Sequence, residues 1–177
     1  MKFLMLFSVL LTVTPVWAQP PYDVFEASRN GDVSTLRQLY DLRADTLNSS
    51  DSHGYTPLIL AVYNDQPEAV EFLLAHQARP EAQDRSGNTA LMGACFRGYR
   101  HQVETLLAAD APVNQQNFHG ATALTFAATF GQVEIARLLL AAGADPSLPD
   151  DRGKTPLEHA QLQGLAEMVE LLTPPDE

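Results

Sequence analysis

Four glycines, Gly54, Gly87, Gly120 and Gly153, stand 33 residues apart. They lie in the segments DSHGYTPL, DRSGNTAL, NFHGATAL and DDRGKTPL. A leucine-rich segment follows each at constant spacing: EFLLAHQA, ETLLAADA, RLLLAAGA and the closing ELL. This one feature limits the fold more than any other. A unit so short cannot bury its own apolar face, so the copies must stack and share one core, and the terminal copies must differ from the inner ones.

Each unit has its own local logic. The leading acid (Asp51, Asp84 or Asp150, with Asn117 in one copy) suits a turn, because its side chain accepts backbone N–H bonds. The glycine takes a backbone conformation that a Cβ opposes. Thr56 then caps a first helix and Pro57 fits its first position, where no N–H is needed. Thr155 and Glu158 have capping-box spacing. A second helix is expected to start at Asp65-Gln66-Pro67-Glu68, with Val70, Leu73 and Leu74 as its buried stripe. Gly143 should end the second helix of its repeat, whereas Gln77 and Asp110 stand at the same place and make less comfortable turns.

The period, the T-P-L turn and the Leu-Leu positions resemble the ankyrin-repeat family over about residues 22 to 173. The resemblance implies an all-α solenoid of five stacked helix-turn-helix repeats with short β-turn or hairpin fingers. The expected division is a leader over 1–18, an N-terminal capping repeat over 19–50, repeats over 51–83, 84–116 and 117–149, and a C-terminal capping repeat and tail over 150–177. YDVFEASRNGDVSTLRQLY has two helices without a preceding Gly-x-Thr turn, with Ala27 and Gly31 answering to Ala61 and Asp65. Thr173-Pro174-Pro175 forbids further helix. Within the first helices, Leu60, Gly93, Phe126 and His159 occupy one row. A mid-helix glycine costs about 1 kcal/mol against alanine, and Gly93 is expected to make room for Phe126.

Met1-Lys2, the apolar run Phe3 to Val13 and the small residues Val16 and Ala18 form a secretory leader, cut after Ala18. Its brevity argues against an uncleaved anchor, and the expected destination is the periplasm. The chain carries 11 Lys+Arg against 22 Asp+Glu, a formal net charge of −11, and loss of Lys2 with the leader lowers it by one unit. That balance argues against nucleic acid and anionic membrane as partners and implies a soluble, self-repelling surface. Cys95 is the only cysteine, so no internal disulfide forms and packing alone holds the fold. Cys95 reads as a small buried hydrophobe beside Ala94, with a reactive thiol as the alternative.

Enzyme signatures are missing: no phosphate loop, no G-x-S-x-G, no H-E-x-x-H and no Cys-x-x-Cys. His53 and His119 share a turn position two repeats apart. At about 8–10 Å per stacked helix they cannot share a metal. His76 and His101 fall on second helices, toward the outer surface. Asp150-Asp151 reads as turn chemistry rather than a general acid–base pair, and no cofactor or metal is expected.

What varies between repeats carries the functional reading. The resemblance implies a partner-binding concave surface made of turn tips and first-helix faces. There the turns carry His53, Tyr55, Arg85, Asn88, Phe118, His119, Arg152 and Lys154, and the first helices carry Tyr63, Asn64, Phe96, Arg97 and Phe130. Aromatics with arginine among them are the composition of binding hot spots. The expected function is a non-enzymatic module that grips another exported protein. Small exported bacterial relatives of this kind are associated with catalases in peroxide defence, and others resemble immunity proteins that block a toxin. A third reading is haem carriage, with His53 and Tyr55 as ligands, Tyr63 behind them and Arg85 nearby for a propionate.

Overall fold

The computed structural model describes residues 23–174. The expected leader and the tail from Pro175 lie outside them. Among the described residues ten α-helices pack as five consecutive pairs. These are α1 Val24–Asn30 with α2 Val33–Leu42, α3 Pro57–Tyr63 with α4 Pro67–Ala75, and α5 Ala90–Arg97 with α6 Arg100–Ala108. Then come α7 Ala123–Thr129 with α8 Val133–Ala141, and α9 Pro156–Gln163 with α10 Ala166–Leu172. A 3-10 turn over Ala44–Asn48 lies in the link after the first pair. No strand forms among the described residues. First helices pack in the row α1, α3, α5, α7, α9, and second helices in the row α2, α4, α6, α8, α10.

Local chemistry sets the first helices. Thr56, Thr89, Thr122 and Thr155 each accept the N–H three residues on. Glu158 Oε2 accepts back from the Thr155 N–H at 2.8 Å, completing the box. Small residues let the row close up: Ala61, Ala94, Ala127 and Ala160 are all fully buried. Cys95 is equally buried, as a small core residue should be.

The second start falls within Asp65-Gln66-Pro67-Glu68 as expected, with Pro67 opening α4 after Gln66, which makes no side-chain cap bond. The Asp65 backbone closes α3 at φ +53, where the other repeats place Gly31, Gly98, Gly131 and Gly164. One local expectation needs correcting: Gly93 does not make room for Phe126. A Cβ there would stand 3.2 Å from the Tyr63 ring of the preceding repeat. The cause is directional: helical side chains lean toward the helix N-terminus and cover the turn before their own Cα. Tyr63 therefore reaches back to the level of Leu60, beside Gly93.

The turns before the first helices project as a ladder of fingers. Asp51 Oδ1 accepts the N–H groups of His53 and Tyr55. Asp84, Asn117 and Asp150 do the same in their own fingers. Consecutive fingers are joined by Arg85 N–H to His53 O (3.2 Å), Phe118 N–H to Ser86 O (3.1 Å) and Asp151 N–H to His119 O (2.8 Å). A Cβ on Gly54 or Gly120 would stand 2.8 or 2.9 Å from the next finger's backbone nitrogen. The glycines thus serve both the turn and the spacing between fingers.

Candidate functional site

The side chains expected to bind a partner fall into two groups. In the first, His53 stacks on Tyr55 at 6.0 Å and Tyr55 meets Tyr63 edge-on at 6.1 Å. Tyr55 and Tyr63 are half-buried and His53 is exposed. Burial, then the nearby Asp84 carboxylate, pushes the Tyr63 phenol pKa upward. In the second, Phe96 meets Phe130 edge-on at 4.8 Å and Phe126 at 6.5 Å. Phe96 and Phe130 are 41% and 48% exposed, so the cluster is a surface feature. Phe118 stands apart, 68% exposed, with its ring over Gly87.

Several polar candidates are already engaged within the chain. Asn64 donates to Leu60 O at 2.8 Å and closes α3. Asn88 Oδ1 accepts from Asn117 at 2.8 Å, a bond between fingers. Arg97 bends back onto Tyr99, its guanidinium 5.4 Å from the ring centre and donating to the hydroxyl at 2.9 Å. This last contact makes the aromatic cluster less basic than its sequence suggests. Arg85, Arg152 and Lys154 form no ion pair among the described residues, whereas His119 pairs with Asp151 at 3.1 Å.

A cavity of about 370 Å³ opens between the third and fourth fingers, those led by Asn117 and Asp150. Phe126 and Phe130 supply its apolar wall, with Thr125 and Thr129 beside them. His119 and Ala121 come from one finger, Asp150, Asp151 and Arg152 from the next, and His159 from α9. His159 Nε2 bonds Asp150 Oδ2 at 2.9 Å, and both side chains are largely buried. Burial opposes the charge on Asp150. The Lys154 N–H, His159 and the Arg152 N–H outweigh it and hold the carboxyl below its ordinary value.

Sequence reasoning missed Phe126, Asp150 and His159 as wall residues, and the cavity itself. The signal was present in size: Ala121 stands where the other fingers carry Tyr55, Asn88 and Lys154. On the second-helix side, His101 is exposed near Glu71. His76 is half-buried, stacked on Phe72 at 4.0 Å with Nδ1–H donating to Phe72 O. Among the described residues no cluster of metal-ligating side chains occurs, and no helix is long and apolar enough to cross a membrane.

A family model described as "Ankyrin repeats (3 copies)" matches residues 24–117 and 91–176. The chain belongs to the ankyrin-repeat family. Ankyrin repeats are protein-interaction modules, so protein partners follow from membership. The chain is 42% identical over 48 residues to ankyrin repeat domain-containing protein 49 of Drosophila melanogaster, covering 27% of this chain and 22% of that protein. It is 38% identical over 52 residues to the palmitoyltransferase akr1 of Emericella nidulans, covering 29% of this chain and 7% of that protein. The matches thus span a small part of either relative's length.

Proposed function

We propose that this ankyrin-repeat protein is a non-enzymatic module, exported to the periplasm, that grips another exported protein with its fingers and first-helix faces. The observation that carries this reading is the contiguous Phe96–Phe126–Phe130 surface beside an open cavity. Apolar rings left half in water normally serve contact with a partner. Export rests on the leader. A catalase or a periplasm-acting toxin is the partner class the resemblance suggests, and both serve as named baits. Haem carriage has less support, because His53 and Tyr55 stack on one another and the cavity lies around other residues.

The test is capture from a periplasmic fraction by tagged full-length protein, with purified catalase and toxin as baits. The recovered chain should begin at Gln19. Phe96→Ala with Phe130→Ala should abolish capture while helicity and melting hold, since both rings sit on the surface. Undiminished capture by that double variant refutes the reading.

A further inference from the structure

The cavity between the third and fourth fingers exists because two side chains are small. Ala121 replaces the larger Tyr55, Asn88 and Lys154 of the other fingers, and Thr129 replaces Tyr63, Phe96 and Leu162 of the other first helices. The space so left, about 370 Å³, is at the lower end of small-ligand pockets, room for one long side chain. Its hydroxyls are spent within the chain. Thr129 Oγ1 donates to Thr125 O at 2.7 Å, and Thr125 Oγ1 serves the cap at Thr122. Aromatic faces and carboxylates remain to meet a ligand.

We propose that this cavity is a socket for a positively charged side chain of the partner, an arginine whose guanidinium rests on Phe126 and Phe130 and meets Asp151. The proposal rests on the interaction-module reading and names the chemistry of its partner. Asp150 is saturated by two backbone N–H groups and His159. Asp151 bonds His119 through Oδ2, and its Oδ1 takes no bond among the described residues. Two carboxylates stand against one permanent cation, Arg152, in a chain of net charge −11. Aromatic faces next to a free carboxylate oxygen attract a guanidinium, and the net field steers basic partners inward. Arg97, which would oppose such a ligand, is turned onto Tyr99.

The test uses the full-length protein, isotope-labelled, titrated with Nα-acetyl-arginine amide and followed by amide NMR shifts. Nα-acetyl-glutamate amide and Nα-acetyl-leucine amide serve as controls, in buffer well above the ordinary imidazole range. Shifts for the arginine probe should cluster within residues 119–130 and 150–159. Asp151→Asn and Phe130→Leu should each weaken binding about three- to fivefold, and Ala121→Leu should abolish it by filling the space. Arg152→Ala, at an exposed and unbonded side chain, should strengthen binding by removing like charge. The proposal is overturned if the glutamate probe binds and Arg152→Ala abolishes that binding, since the site then takes anions. Equal binding of the leucine probe, or no shifts with arginine up to about 50 mM, overturns it too. Capture that still depends on Phe96 and Phe130 in such a case leaves the interaction-module reading intact.

Discussion

Gln102 offers the sharpest energetic test of the stacked core. It is 1% exposed in α6, at the row held by Ala69, Ile135 and Met168 in the other repeats. Its Nε2 donates to Asp65 Oδ1 at 2.7 Å, while its Oε1 has no partner among the described residues. Gln102→Met keeps the volume and removes both polar ends. Removing the orphan acceptor returns about 1–3 kcal/mol, and the added apolar burial contributes about 1 kcal/mol more. Against this stands one bond to a carboxylate, worth about 1.5–3 kcal/mol at most. Asp65 is exposed, so its carboxylate rehydrates and the loss falls at the low end. The net expectation is a gain of about 1 kcal/mol, or about 2–4 °C in Tm for a domain of this size, read by far-UV circular dichroism. Asp65→Gly then separates the causes. Alone it relieves a left-handed backbone at φ +53 but leaves both ends of a buried amide unpaired, so it destabilises. In the Gln102→Met background it stabilises, a change of sign that gives a coupling of about 1–3 kcal/mol. A lower Tm for Gln102→Met would show that Oε1 is satisfied in solution, by a buried water for instance, and refute the argument.

Three further outcomes follow from named contacts. Cys95 is fully buried and its thiol pKa is pushed well up by burial, so a maleimide should label native protein negligibly and denatured protein within minutes; rapid native labelling contradicts this packing. Asp32 is lowered to about 2, chiefly by bonds from the hydroxyls of Thr35 and Ser34, and Asp150 is also held below its ordinary value. Both favour the ionised folded form, so their stabilisation is full above about pH 4 and fades as pH falls toward 2; acid melts of Asp32→Asn should show a shallower slope. Gly93→Leu drives a side chain into the Tyr63 ring and should cost about 1–3 kcal/mol, and Tyr63→Ala in the same chain should recover part of it; no loss of Tm would clear Tyr63 of the role.

The local grammar was legible because it depends on neighbours in sequence. Threonine caps, the Asx-type finger turns and left-handed glycines are settled within five residues, and the chain places them where that grammar says. The side-chain face was less legible. Each inner first helix has a first helix on either side, and sequence spacing does not say which neighbour a side chain leans on. Gly93 therefore faces Tyr63 of the preceding repeat where its row alone points to Phe126. Arg97 looked like part of a basic groove, but Tyr99 two residues on offered both a ring and a hydroxyl. The cavity was hidden because reading for large aromatics overlooks what a small residue leaves empty.

The same division explains how such a chain can vary its binding face without endangering the fold. The ladder between fingers is made of backbone bonds and of the acid and glycine positions, and the core row is made of alanines and leucines. Neither requires the side chain at positions 121 and 154, which read Ala and Lys. At the matching positions Tyr55 packs against the core and Asn88 links two fingers through Asn117. Alanine at 121 therefore costs the stack no bond, yet it leaves an open wall of Phe126 and Phe130 beside Asp151. A position that the fold leaves free, filled in its neighbours and empty here, is where recognition can be written without rewriting stability.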